Sequence, residues 1–183
     1  MKNIGTIELT TNRLVLKKFD VGFSNNMYNN WASSKNVTKF LTWSAHTSLE
    51  ETENTIKSWQ ESYSRKDFYH WAITIKETGE VVGSISVVEI KEKEETAICG
   101  YCIGERWWGK GIVAEAYKRV IDFLFNKVGV KKIIGRHDVD NPNSGKVMLK
   151  CGLKYLKTII SPNPKDSSKN VNLAIYEILN NKK

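Results

Sequence analysis

The chain has 183 residues, 28 Lys and Arg against 20 Asp and Glu, a formal net charge of +8 and 40% hydrophobic residues. This supports one domain over residues 1–183 with an adequate core; no run approaches the roughly 18 to 20 apolar residues of a membrane span. Met1-Lys2-Asn3-Ile4-Gly5 lacks a signal peptide's apolar stretch, so a cytoplasmic location is expected, and the absence of a long Lys/Arg block predicts a solvated basic surface without a direct nucleic-acid site.

In chain order, residues 7–17 read as a first strand around the apolar run Leu14-Val15-Leu16. Residues 20–41 read as a broken helical region. Ser48 with Glu51 three residues later forms a capping box, and Leu49, Ile56, Trp59 and Tyr63 continue one helix face to about Arg65. Residues 71–76 and 81–90 read as strands joined by a hairpin turn at Gly79, and residues 96–103 as the next strand.

Residues 106–111, Arg-Trp-Trp-Gly-Lys-Gly, end that strand and open the most amphipathic helix of the chain. Gly109 and Gly111 carry no side chain to block a ligand, so backbone N–H groups of the turn can converge on an anion at the positive end of the helix dipole. Arg106 and Lys110 add charge. Val113, Ala116, Tyr117, Val120, Ile121, Leu124, Phe125 and Val128 recur at helical spacing until Gly129 stops the helix. A strand at 131–138 follows. Asn141 then caps a short helix with Pro142 at its first position and Gly152 beyond its end. Residues 153–160 and 171–179 form a final hairpin whose connection, 161–170, is expected to be mobile. Periodicity alone gives the class α+β.

Three cysteines argue against a disulfide framework, and Cys99 and Cys102, three apart on a strand, point to opposite faces. Neither they nor His46, His70 and His137 show metal-ligand spacing, so no metal is expected.

Arg106, Gly109 and Gly111 match the R/Q-x-x-G-x-G/A signature of the GCN5-related N-acetyltransferases (GNAT), and the chain resembles that family elsewhere too. Asn141-Pro142-Asn143-Ser144, followed by Lys150-Cys151-Gly152-Leu153, is similar to the N-x-x-S…K-x-G-F segment of the branch that acetylates N-termini of ribosomal proteins, and Thr11-Asn12-Arg13-Leu14-Val15-Leu16 is similar to its first strand. The resemblance implies a mixed, mostly antiparallel sheet of about seven strands, with a central splayed parallel pair and helices on both faces. It implies acetyl-coenzyme A as cosubstrate, its pyrophosphate on Arg106, Trp107, Trp108, Gly109, Lys110, Gly111 and Ile112, its pantetheine against the backbone of Tyr101, Cys102 and Ile103, with Asn141 and Ser144 also in contact. The loop also reads as G-x-G-x-x-A of a dinucleotide fold, or as a tight turn only. The dinucleotide reading fits poorly, because Glu105 to Trp108 separate strand from glycines and Asp138 is too distant for the required acid.

In this family the amine attacks the thioester directly, so the protein's task is to hold two reactants and stabilise charge. The resemblance implies the N-terminal α-amine of a protein, such as a ribosomal protein, as acceptor. Small-molecule amines (polyamines, antibiotics) and a coenzyme-binding regulator without turnover are the alternatives. Some relatives place a tyrosine donor seven residues after the motif asparagine, where this chain has Met148, which cannot donate. The resemblance to the N-terminal branch, with a serine as proposed acid three residues after that asparagine, makes Ser144 the candidate acid, the alternative being that it only satisfies helix backbone or coenzyme contacts. Glu89 and Glu95 are candidate bases, and Trp43 and His46 candidate acceptor contacts. Oligomeric state is not legible; a homodimer is compatible with the sequence.

Overall fold

The computed structural model describes residues 1–181. Its apolar strands join into one eight-stranded sheet in the order β1-β2-β3-β4-β5-β6-β8-β7. These are β1 (Leu9–Thr10), β2 (Leu14–Lys17), β3 (Tyr69–Ile75), β4 (Val81–Lys91), β5 (Thr96–Ile103), β6 (Lys132–Asp138), β7 (Lys154–Asn163) and β8 (Asp166–Leu179). The strand expected over 7–17 is split because Thr11 turns the chain. Its N–H donates to the Leu14 carbonyl at 3.0 Å and its hydroxyl accepts from the Leu14 N–H at 3.0 Å. This accounts for eight strands where about seven were expected.

Every pairing is antiparallel except β5 with β6, which runs only from Thr96↔Lys132 to Cys99↔Gly135. β5 continues to Ile103 and β6 to Asp138 without further mutual pairing, so the two strands splay at their C-terminal ends. The family's central splayed pair is therefore present.

Helices cover both faces. On one, α4 (Ile112–Phe123) buries Val113, Ala116, Tyr117, Val120 and Ile121 against Leu16, Trp71, Ile85 and Ile133, each large aliphatic contributing about 1.5–3 kcal/mol. The predicted helix continues as a π-helical turn, Leu124–Val128, and stops at Gly129, whose φ of 81° only glycine adopts freely. On the other face, α1 (Ser24–Met27), a π-helical turn (Tyr28–Ala32), α2 (Lys35–Thr38) and α3 (Leu49–Ser62) pack Met27, Trp31, Val37 and Ile56 around Phe19 and Ala72. Cys99 belongs to the first core and Cys102 packs against the second, as strand alternation requires.

Ser48 caps α3, its hydroxyl accepting from the Glu51 N–H at 3.1 Å, a bond typically worth about 1 kcal/mol. The Glu51 carboxylate reaches back to the Thr47 N–H at 2.7 Å, one residue earlier than in a standard box.

The hairpin connection differs from expectation. Residues 161–170 are not a free loop, because β7 extends to Asn163 and β8 starts at Asp166, leaving Pro164 and Lys165 as the turn. The Lys165 ammonium donates to the carbonyls of Thr38 and Lys39, which ties the hairpin tip to the end of α2.

Candidate active site

The strand-to-helix connection has the expected geometry. Gly109 and Gly111 both adopt φ of 74°, and a Cβ on Gly109 would meet nothing within 4 Å. A Cβ on Gly111 would find only Arg13 Nη2, at 3.7 Å. The space above both glycines is thus open to a ligand. The first amide of α4 to bond back is Glu115, to the Gly111 carbonyl at 3.1 Å, so the N–H groups of Ile112, Val113 and Ala114 face the helix end without an intrahelical acceptor. Such a turn fits a pyrophosphate.

Packing holds the turn in place. Gly104 admits the Asn30 carbonyl of the π-helical turn and the Trp107 ring, where an added Cβ would come within 2.4 Å and 2.7 Å. The Glu105 carboxylate accepts from Ser34 Oγ at 2.5 Å and from Asn36 Nδ2 at 3.2 Å, which anchors α2 as the facing wall. Arg13 donates to the Lys110 carbonyl at 3.1 Å and to Glu115 Oε2 at 2.7 Å. Partial burial pushes the Glu115 carboxyl up, but the Thr11 hydroxyl and the Arg13 N–H and guanidinium outweigh it and hold it below the usual range. Sequence reading assigned Arg13 to a strand and missed that it braces the loop, because the contact spans 97 residues.

Two clefts meet beside this turn. One, of about 420 Å³, is lined by Tyr101, Cys102, Ile103, Trp107, Trp108, Gly109, Gly111, Ile112, Asn141 and Ser144 among the expected contacts. Arg106 and Lys110 do not line it. The Arg106 guanidinium lies over the Trp107 ring at 4.9 Å and faces Glu80 at 3.7 Å, while Lys110 is exposed. At the splay, the Ile103 carbonyl is already bonded to the Trp108 indole N–H, at 3.0 Å. Asn141 stands before α5 (Pro142–Lys150), yet its side chain makes no capping bond, contrary to the expected cap; it lines the cleft instead.

The second cleft, of about 930 Å³, lies between the splayed strands, the α2–α3 connection and the β7–β8 hairpin. Phe40, Leu41, Tyr101, Cys102, Asn141 and Ser144 line both clefts and form their junction. There Ser144 Oγ donates to the Tyr101 hydroxyl at 3.0 Å, and that hydroxyl donates to the Ser144 carbonyl at 2.8 Å. Burial raises the Tyr101 phenol well above its ordinary value, so it stays neutral and able to donate. Met148 is buried, its Sδ packed over Gly135, where a Cβ would come within 2.9 Å. A phenol thus reaches the junction from β5, a source the motif spacing did not indicate.

The model of the acetyltransferase (GNAT) domain matches residues 13–154. The chain belongs to this family. It is an acetyl-CoA-dependent N-acetyltransferase, and acetyl-CoA is its cosubstrate. The p20 N-acetyltransferase of Bacillus licheniformis, itself uncharacterized, is 27% identical over 140 residues, 76% of this chain and 78% of the relative. The ribosomal-protein-serine acetyltransferase of Escherichia coli K12 is 29% identical over 105 residues, 57% of this chain and 58% of that protein. Among solved structures, the microcin C7 self-immunity acetyltransferase MccE, in complex with acetyl-CoA and AMP, superposes with a TM-score of 0.81 at 21% identity, covering 92% of this chain and 93% of that one.

The other candidates separate. Glu95 cannot serve the junction: it binds the Met1 ammonium at 3.1 Å and the Lys131 ammonium, at the far end of β5. Glu89 faces the second cleft because a register shift between Val87 and Glu89 places it opposite Ile98. Ile98 is four residues from Cys102, roughly 13 Å along the strand. Trp43 lines the second cleft; His46 does not, and bonds Thr52 Oγ1 at 2.7 Å. His70 lies on the cleft floor among Phe19, Trp59 and Phe68, where burial pushes its pKa down to about 3. Among the described residues no three His, Cys, Asp or Glu side chains gather as a metal site, and no helix is long and apolar enough to cross a membrane.

Proposed function

We propose that this acetyltransferase modifies the N-terminal α-amine of a protein, with a ribosomal protein as the type of acceptor. The observation that carries this reading is the composition of the junction. Its six shared lining residues include no carboxylate and no imidazole, and burial raises the Cys102 thiol, which disqualifies it as a base. The acceptor must therefore supply much of its own neutral form. An α-amine, with a pKa near 8, is roughly one-tenth neutral at pH 7, whereas a lysine side chain is below about 0.1% neutral. The 29% identical ribosomal-protein-serine acetyltransferase and the Asn141-to-Ser144 motif point the same way.

Acetyl-CoA supplies the reactive thioester; the loop amides at 109–114 hold its pyrophosphate and the splayed end of β5 its arm. In this reading Ser144 donates to the departing sulfur. When the Tyr101 O–H turns from the Ser144 carbonyl to Ser144 Oγ, the serine proton is freed toward the junction. The amine's proton passes to water in the wide second cleft, and the Ser144 oxygen regains its proton from that water. Acetyl transfer to peptides with a free N-terminus, compared with the same peptides N-terminally blocked and carrying internal lysines, tests the reading by mass spectrometry. Product on the free α-amine is expected, with a rate that rises as pH approaches 8. Acetylation confined to lysines or to polyamines overturns it.

A further inference from the structure

The second cleft carries an ionic group that neither the fold nor the chemistry above uses. Arg136 follows Gly135, the last β6 residue paired with β5, and so stands at the start of the splay, level with Gly100. Ile133 belongs to the core on the α4 side and Gly135 packs on Met148; alternation turns Arg136 to the opposite face, where it lines the cleft. It is exposed, and among the described residues no carboxylate, hydrogen bond or aromatic ring engages its guanidinium.

The carboxylates nearest it on that face, Asp138 on its own strand and Glu177, which pairs with Ile134 from β8, form no ion pair with it among the described residues. Asp138, the next residue of β6 on that face, has its Oδ1 taken by the Asp140 N–H at 3.0 Å. Asp67 is occupied by Arg65 at 2.9 Å. Glu89 lies beside the bulge of β4, level with Ile98 rather than Gly100. The floor next to Arg136 is the row His70, Ser86 and Gly100, which pair across β3, β4 and β5, and the histidine there is uncharged. Across the cleft stand two more cations, Lys39, whose ammonium sits over the Phe40 ring at 5.0 Å, and Lys165. Gly100 is two residues from Cys102, roughly 7 Å, so a guanidinium on this level is within one side-chain length of the junction.

We propose that Arg136 selects acceptors carrying an anionic group, a carboxylate or a phosphate, within a residue or two of the amine that is acetylated. This rests on the α-amine reading above and adds a charge requirement to it. A guanidinium offers two parallel N–H donors to either oxyanion, and a charge-assisted pair formed in a cleft is stronger than one on an open surface. For a peptide acceptor the anion is an acidic or a phosphorylated residue just behind the first.

Matched peptides beginning Ser-Glu, Ser-phosphoserine and Ser-Gln test this at about 0.15 M salt, where long-range attraction is screened. Equilibrium binding is measured on the full chain in the presence of coenzyme A, separately from turnover. The wild type is expected to bind an anionic peptide on the order of 10-fold tighter than the Ser-Gln peptide, the lower range for a hydrogen bond to a charged group. Arg136→Gln should abolish that ratio and Arg136→Lys should keep part of it, since the charge survives without the fork. The Glu and phosphoserine arms show which oxyanion is preferred. Equal binding of all three peptides by the wild type, or a preference that persists in Arg136→Gln, overturns the proposal. If the preference depends on Arg136 but no peptide is acetylated at its N-terminus, the anion site stands and the α-amine reading falls.

Discussion

The two clefts that meet at Tyr101 and Ser144 are built by different means. The first cleft, which we propose holds the coenzyme, is mainly local: one strand end, one turn and one helix start, residues 101–114, supply the largest share of its wall, with the α5 region and the end of α2 completing it. Its recognition elements are backbone groups, which a short glycine pattern can encode. The second cleft, the proposed acceptor site, draws side chains from the α2–α3 connection, β4, β5, β6, α5 and both strands of the final hairpin. Its character comes from which charges are left unpaired, and that depends on contacts between segments more than 100 residues apart, such as Lys165 with Thr38. A backbone cradle tolerates change in its neighbours' side chains but no side chain of its own, whereas a side-chain cleft can be retuned one residue at a time.

Gly111→Val breaks the comparison most sharply. It places a β-branched residue at φ 74° and a side chain over the helix start, at a backbone cost of about 1–3 kcal/mol. Acetyl-CoA affinity, measured by calorimetry or by the rise in thermal midpoint, should fall by at least ~100-fold, since the ligand and its amide donors are separated. NAD should give no midpoint shift with either protein. Retained acetyl-CoA affinity in a folded variant would mean that the cradle lies elsewhere.

The junction is the next test. Ser144→Ala should lower kcat at least ~10-fold with little change in coenzyme KM, because a donor to the leaving sulfur acts in the transition state. Tyr101→Phe should also lower kcat, and the double variant should be no worse than Ser144→Ala by more than about 2-fold if the phenol acts only through the serine. Additive losses in the double variant would separate the two hydroxyls.

A smaller effect sets the second cleft apart by its pH response. His70 is folded with its pKa pushed down to about 3, while the unfolded chain protonates it near the ordinary 6.5. The unfolded state therefore binds more protons between these values, and stability should fall as pH drops below about 6.5, by up to about 1.4 kcal/mol per pH unit. Denaturant unfolding from pH 7 to pH 4 should show this slope, and His70→Phe should reduce it by as much as one proton. An unchanged slope would show that other groups carry the acid sensitivity.

The least disruptive change is Glu115→Gln, which releases Arg13 beside the glycine turn. Because the pair is partly exposed, unfolding stability should change by less than about 1 kcal/mol. Acetyl-CoA affinity should still drop a few-fold through loss of the brace on Lys110. No change in affinity would mean that packing through Gly104 and Trp107 alone holds the loop.

By itself the sequence determined the strand-turn-helix-strand unit, its glycines, the α3 cap and the opposed faces of Cys99 and Cys102, because each depends on periodicity or dihedral preference within a few residues. It also carried the family, through motifs ordered along the chain. It misplaced the hairpin connection, since Pro and Ser content marks turns while the pairing of Ser161 with Val171 is set across strands. Only the tertiary structure decided that Arg106 and Lys110 stand outside the first cleft while Arg13 braces its glycine turn, that Glu95 is bound to Met1 and Lys131, and that a phenol from β5 meets Ser144. The physical reason is the same in each case: a side chain's role depends on the partner opposite it, and partners distant in sequence are chosen by how the sheet and its covering helices pack.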